Sequence, residues 1–314
     1  MTRYLIRRLG LAIPTLLLVA IAVFGMVRLA PGDPAQVLLG ETASPAEIDA
    51  KRAQMGLDEP MPAQFLRWAG DVANGDLGTS LLSGQPVTNL VLDRFAVSAP
   101  IVAAAVALAL IIAVIGGLYA ALNRGRTIDI MIVTTATILL SIPAFWLGLM
   151  FMLFFGLKLG WAPVIGFVPF SEDPVAALSY MVLPVIVLAL AELGVLTRMM
   201  RASAIEVLGL DYVLHARAKG LDDDRVLSRH VFPNAFAPTL TLTGLLLANL
   251  LGGIAVIETV FTLPGLGRLM VDAVLARDYP VIQGCLLFTA CIYILVNLSV
   301  DLIYPLFDPK IVNA

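Results

Sequence analysis

Six apolar runs punctuate this 314-residue chain, and each is long enough to cross a bilayer as a helix. They lie at roughly Leu9–Leu29, Val97–Leu122, Ile128–Leu157, Ser179–Leu196, Leu240–Ile257 and Val281–Tyr304. A helix crosses about 30 Å of hydrocarbon with about 20 residues, and there every backbone polar group must be paired within its own segment. The expected fold class is therefore an all-α integral membrane protein with six transmembrane helices. Composition agrees: 60% of the residues are hydrophobic and 14% charged, where soluble domains carry about 25% charged. A net charge of −3 offers nucleic acid no basic surface. Cys285 and Cys291 both fall inside the last run. They read as small buried hydrophobes, with little to support a disulfide or a metal site.

The opening "MTRYLIRRLGLAIPTLLLVAIAVFGMVRL" sets basic residues before an apolar run, as signal peptides do. A signal peptide's apolar core is about 7 to 15 residues long. The run from Leu9 to Leu29 is longer, so it reads as a retained first span, kinked at Pro14. Basic residues in short loops set orientation. Arg3, Arg7 and Arg8 precede span 1, Arg124 and Arg126 follow span 2, and Arg198, Arg201, Arg217, Lys219, Arg225 and Arg229 follow span 4. The other side has only Lys158, Arg268 and Arg277 in its short loops. Both termini are expected in the cytoplasm.

Residues 31–96 then form an extracytoplasmic loop, with nine acidic residues against four basic. "SPAEIDAKRAQMG" predicts a short helix: Ser44 as N-cap, Glu47 closing a capping box, Gly56 as the stop. "PAQFLRWAGDVANG" predicts a second, with Phe65, Leu66 and Trp68 for an apolar face. This segment reads either as a packing lid over the outer helix ends or as a docking surface for a partner.

Between spans 4 and 5 stands "DYVLHARAKGLDDDRVLSRHVFPNAF", which holds both histidines of the chain, His215 and His230. A solvated connection is the plainest account of so polar a stretch. Loops are typically about 4 to 6 residues, however, and this one is far longer. It also reads as ordered. "SAIEVLGLDYVLHARAKG" puts Ile205, Leu208, Tyr212, His215, Ala216 and Lys219 near one helical face and stops at Gly220. "DDDRVLSRHVF" then starts a second helix with acids and continues to Pro233.

The same residues resemble the cytoplasmic loop of importer-type ABC permeases, whose pattern is E-A-A-x3-G-x9-I-x-L-P. Gly220 and Pro233 match, and Ala216 takes the second alanine position. Leu214, His215, His230 and Phe232 depart from the pattern as the peptide and nickel importer branch does. "GLDEPMPAQFLRW", "GDLGTSL", "ETVFTLPGLGRLMVDAVLARDYPVIQG" and "DLIYPLFDP" extend the similarity to the first permease of dipeptide, oligopeptide and nickel transporters. The resemblance implies a type I importer fold in a single permease domain over 1–314, with 198–236 as a coupling loop.

It further implies a membrane subunit that docks separate ATP-binding subunits through that loop. No G-x4-G-K-[ST] occurs in the chain, so ATP and Mg are expected on those partners and no cofactor here. A second homologous permease, with a heterodimer favoured, and an extracytoplasmic binding protein complete the implied assembly in the bacterial inner membrane. Dipeptides, longer peptides, glutathione, opines and nickel chelates are all substrates of such permeases. The docking candidates are Asp211, Tyr212, Ala216, Arg217, Ala218, Lys219, Gly220, Leu221, Arg225 and Pro233. Anchoring to anionic lipid is the plainer role for Arg217 and Lys219.

Glu192, ionisable and near the middle of span 4, is a candidate for the translocation path or for a bond to a neighbouring helix. Glu258, Pro264, Gly265, Asp278 and Tyr279 flank the turn before span 6, as an outer gate or docking surface or as a compact turn. Gly116-Gly117 and Gly252-Gly253 read as close helix contacts. An ion-coupled secondary transporter is the rival class, resting on Glu192 alone. An intramembrane enzyme is disfavoured: there is no H-E-x-x-H, and both histidines lie in the cytoplasmic loop.

Overall fold

The computed structural model describes residues 2–29, 33–40 and 43–304. The side chains of Arg3, Arg7 and Arg8, the surroundings of Gly253, and the chain from Pro305 lie outside the described residues. Helices dominate: α1 (Thr2–Leu29), α2 (Pro34–Leu39), α3 (Pro45–Gln54), α4 (Met61–Ala73), α5 (Val87–Leu122), α6 (Thr127–Ser141) and α7 (Ala144–Phe151). They continue as α8 (Pro174–Leu208), α9 (Asp211–Ala218), α10 (Asp223–Val226), α11 (Phe232–Gly253), α12 (Ala255–Val260), α13 (Leu266–Ala276) and α14 (Tyr279–Ile303).

The centre is the pair α5 and α8, of 36 and 35 residues. At about 1.5 Å per residue each exceeds 50 Å, more than the hydrocarbon requires. Both therefore extend beyond the runs read from hydropathy, which began at Val97 and Ser179. α8 starts early because the Asp173 carboxylate accepts the N–H groups of Val175 and Ala176 at 2.9 and 3.1 Å, with Pro174 next to it. Ile101, Val102, Ala105 and Ala109 of α5 pack with Val187, Leu188 and Leu196 of α8 and with Leu251, Ile254 and Phe261. α1 stands at the edge, contacting α14 and α4.

Five helices are long and apolar enough to span, and a sixth span requires joining α6 to the α7 segment across a bend of 97°. The third span expected over Ile128–Leu157 is thus broken. Pro143 disfavours helical geometry in the residue before it, and Ile142 is extended (φ −90°, ψ 123°).

In the segment between α1 and α5 the capping box at α3 is present, with Ser44 and Glu47 bonded reciprocally. The stretch before α5 is latched to the far end of the chain. The Asp278 carboxylate accepts the Ser80 hydroxyl and, at 3.1 Å, the Leu81 N–H.

Candidate functional site

The element between α8 and α11 is built in two short helices around a glycine. The single helix expected from Ser203 to Lys219 is instead interrupted. α8 ends at Leu208, and Leu210 is extended (φ −80°, ψ 144°), restarting the chain as α9 with Asp211 in its first turn. α9 then closes in a Schellman motif. The Gly220 N–H donates to the Arg217 carbonyl at 2.9 Å, and the Leu221 N–H donates to the Ala216 carbonyl at 3.3 Å. Gly220 sits at φ +84°, the left-handed region that side chains resist.

The second helix does not stop at Pro233. After one turn of α10 the chain widens into a π-turn over Leu227–Val231 and continues as α11. Proline has no N–H to donate and its ring crowds the carbonyl four residues back. Widening relieves both, and the Phe232 N–H reaches the Leu227 carbonyl. The His230 carbonyl accepts the Tyr212 hydroxyl at 3.2 Å and the Asn234 amide at 2.9 Å. Tyr212 is thereby a strut between α9 and the π-turn.

The inner side of this element is an apolar cluster. Val213, Val226, Leu227 and Val231 meet Met200, Ala204 and Val207 of α8, Ala235 and Phe236 of α11, and Leu118 and Ala121 of α5. Val213, Val226 and Val231 are fully buried. Ala216 is buried as well, so its methyl presents no outer surface and it differs in this from the other α9 candidates. Arg217 pairs with Asp223 at 3.1 Å across the glycine turn. Exposed at the tip are Asp211, Ala218, Lys219, Gly220 and Arg225, with Leu221 and Pro233 half-buried. Burial raises the pKa of the Tyr212 phenol.

Beside the element lies an ion pair that sequence reasoning missed. The Arg201 guanidinium donates twice to the Asp129 carboxylate, at 2.6 and 2.7 Å, and the Gly125 N–H donates to the same group at 2.9 Å. It fastens the start of α6 to α8 beside Met200, which lies in the apolar cluster. Two charged residues 72 positions apart carry no local pattern. The signal was present only as an acid in an otherwise apolar run. Of the small residues read as contacts, Gly117 lies where a Cβ would press on Met200 and the Arg201 backbone, and Gly252 lies close to Thr289.

At the other end, Glu258 is fully buried and faces the N-terminus of α13. Its carboxylate accepts the Ser98 hydroxyl and, at 2.8 Å, the Arg268 N–H; the Ser98 oxygen accepts the Leu266 N–H at 2.8 Å. These contacts satisfy helix-terminal donors that would otherwise be orphaned. Burial pushes the Glu258 carboxyl above the usual range, while its donors pull it back. A Cβ on Gly265 would overlap this carboxylate, so glycine there is a condition of the buried cap. Asp278 and Tyr279 are buried too. Glu258, Gly265, Asp278 and Tyr279 thus offer a partner no exposed surface; half-buried Pro264 and Arg268 border a cleft with Arg94 and Asp272.

Glu192 lies in mid-α8, half-buried, with no hydrogen bond or ion pair to another described residue. It shares a half-buried strip with Val185 and Met199, one at each seven-residue step. The structure thus brings the α9–α10 candidates together, groups Glu258, Pro264, Gly265, Asp278 and Tyr279 around α13, and leaves Glu192 apart from both.

Two family models match the chain. The model described as binding-protein-dependent transport system inner membrane component matches residues 113–313, and its N-terminal companion matches residues 1–102. A protein of Brucella suis biovar 1, assigned to a peptide transport system as its permease, is 40% identical over 311 residues, covering 99% of both chains. A di/tripeptide transport system permease of Pseudomonas aeruginosa is 37% identical over 332 residues, again covering 99% of each. A glutathione transport system permease of Pectobacterium atrosepticum is 41% identical over 311 residues with the same coverage. This chain belongs to that family: it is an inner-membrane permease subunit of a binding-protein-dependent importer.

Proposed function

We propose that this permease carries peptides or peptide-like solutes such as glutathione, and that ATP drives it through the α9–Gly220–α10 element. The relatives named for peptide, di/tripeptide and glutathione transport support the substrate class. The observation that carries the mechanism is the attachment of the element. It is wedged by the Val213, Val226 and Val231 cluster against α5, α8 and α11, and α10 runs into α11 through a continuous backbone turn. A push on the tip therefore moves helices rather than a slack loop.

In this reading the chain itself is not catalytic. ATP and Mg reside on two ATP-binding subunits, which close when ATP binds. Asp211, Ala218, Lys219, Gly220, Leu221 and Arg225 meet a groove on one of them. Tyr212, Ala216, Arg217 and Pro233 hold the shape that is presented. Closure biases the permease between inward- and outward-open states because ATP binds those states unequally. A second, homologous permease completes a heterodimer, and a binding protein delivers substrate on the side of α13. Glu192, without a hydrogen-bond or ion-pair partner among the described residues, lines the path and attracts a cationic group of the substrate. The turn from Glu258 to Tyr279 acts as an outer gate, held rigid by its buried cap. The termini and the 198–236 loop face the cytoplasm, and 31–96 faces outward.

The family comparisons lend no support to an ion-coupled mechanism. Uptake by the complete transporter in proteoliposomes, with luminal and external ATP fixed, decides the energy source. Collapse of the proton gradient should leave uptake unchanged, and ATP withdrawal should abolish it. Loss of uptake on gradient collapse alone would overturn this reading.

A further inference from the structure

We propose that α4 is an interfacial helix lying in the lipid headgroup region beside the end of span 1, with membrane phospholipid as its partner. Two stripes along α4 carry the inference. Phe65, Trp68 and Val72 recur at i, i+3 and i+7, and Phe65 and Trp68 face α1. There the Phe24 ring meets Phe65 and Trp68 with centroids 5.5 Å apart in each case, and Phe65 meets Trp68 at 6.0 Å. Phe24 lies five residues before the end of α1, which at about 1.5 Å per residue is about 7.5 Å below the helix end. Interfacial helices sink about 5–10 Å into the headgroup and acyl boundary.

The second stripe is Pro62, Leu66, Ala69 and Ala73, at i, i+4, i+7 and i+11. It flanks the first, and among the described residues it is largely uncovered: Pro62, Leu66 and Ala73 are exposed, Leu66 by 71%, and Ala69 is half-buried. The helix it packs on also carries uncovered apolar side chains near the contact: Met26 and Leu29 of α1 are 65% and 82% exposed, on a helix long and apolar enough to span the bilayer. Arg67 and Asp71 stand on the opposite, polar side, and Arg67 is paired with Glu59. The Arg28 guanidinium lies over the Phe24 ring, 5.3 Å from its centroid, and its buried Nε has no hydrogen-bond partner among the described residues. Aromatic rings with a cation at a span's end are the composition of the membrane–water interface. A helix with an apolar arc wider than its contact with α1, joined to a lipid-facing surface, is matched by lipid rather than by a soluble protein.

The test places a reporter on the exposed stripe. The complete transporter, carrying Leu66→Trp, is reconstituted in phosphatidylcholine vesicles, and the emission of the unsubstituted protein is subtracted. The added emission should lose most of its intensity with lipid brominated near the top of the acyl chain, less with lipid brominated near the chain end, and none with aqueous iodide on either side. The Trp68 emission, taken as the difference from Trp68→Phe, should show the same order. Quenching by iodide without quenching by brominated lipid would overturn the inference and open the stripe to a soluble partner. Lipid quenching of this chain alone that vanishes when the second permease is present would overturn it too, and assign the stripe to a subunit contact. Neither readout depends on which way the chain is oriented, so failure of the topology is scored separately.

Discussion

Several helix ends in this protein use the same backbone device, those of α3 at Gly56 and α4 at Gly75 among them, and the residues at the left-handed position differ. Gly220 ends α9, Thr262 ends α12 and Arg277 ends α13; Thr262 and Arg277 are each at φ +57°. At α12 the Leu263 N–H donates to the Glu258 carbonyl at 2.8 Å, the bond that Leu221 makes at α9. Left-handed geometry costs a side-chain-bearing residue about 1–2 kcal/mol, and a β-branched one is the least suited. Thr262 bears that cost next to the buried Glu258 cap. Thr262→Gly is expected to stabilise the protein by about 1 kcal/mol, seen as a higher midpoint of thermal unfolding in detergent. A lower midpoint would show that the threonine side chain contributes more than its backbone costs.

At the scale of elements, the Asp129–Arg201 pair decides how α6 meets α8. The Asp129 side chain is 5% exposed and that of Arg201 26%. Removing one partner of such a pair costs about 3–5 kcal/mol, because the other charge is left without a counter-ion, whereas apolar replacement of both is far milder. Arg201→Met should therefore lower thermal stability sharply, and adding Asp129→Leu should restore most of it. Equal losses in the single and double variants would contradict the clamp. This pair also shows where reading the sequence stops. Hydropathy located every spanning region, because an apolar run in lipid can only be helical. The capping box at Ser44, the stop at Gly56 and the Gly220 break were legible because their chemistry is local. The break at Pro143 was not. Pro14, Pro100, Pro184 and Pro238 all stay inside helices, so proline in a span does not announce which outcome it gives. The π-turn before Pro233, the burial of Ala216 and the Glu258 cap depend on neighbours distant in sequence. Of the candidate site residues, the α9–α10 set rested on the resemblance to importer permeases, while its division into exposed and inward-facing side chains required the fold.

Across the whole molecule, a path of contacts joins the Gly220 tip to the central helix pair. The tip is shaped by Arg217–Asp223 and Tyr212–His230, the next layer is the valine cluster, and that cluster rests on α5, α8 and α11. Transmission requires the turn to hold its geometry under load. A Cβ at Gly220 would meet nothing within 4 Å, so a substitution there acts through the backbone and not through crowding. Asparagine tolerates the left-handed region and valine does not. A penalty of about 1–2 kcal/mol on the turn lowers its equilibrium constant by roughly tenfold. The most direct measurement is ATP-driven uptake by the complete transporter carrying Gly220→Asn or Gly220→Val, with membrane insertion and ATP hydrolysis recorded together. Coupling through this element predicts near-normal uptake for Gly220→Asn, and for Gly220→Val a roughly tenfold loss with insertion intact and ATP still hydrolysed. Uptake by Gly220→Val at the level of the unsubstituted protein would contradict it.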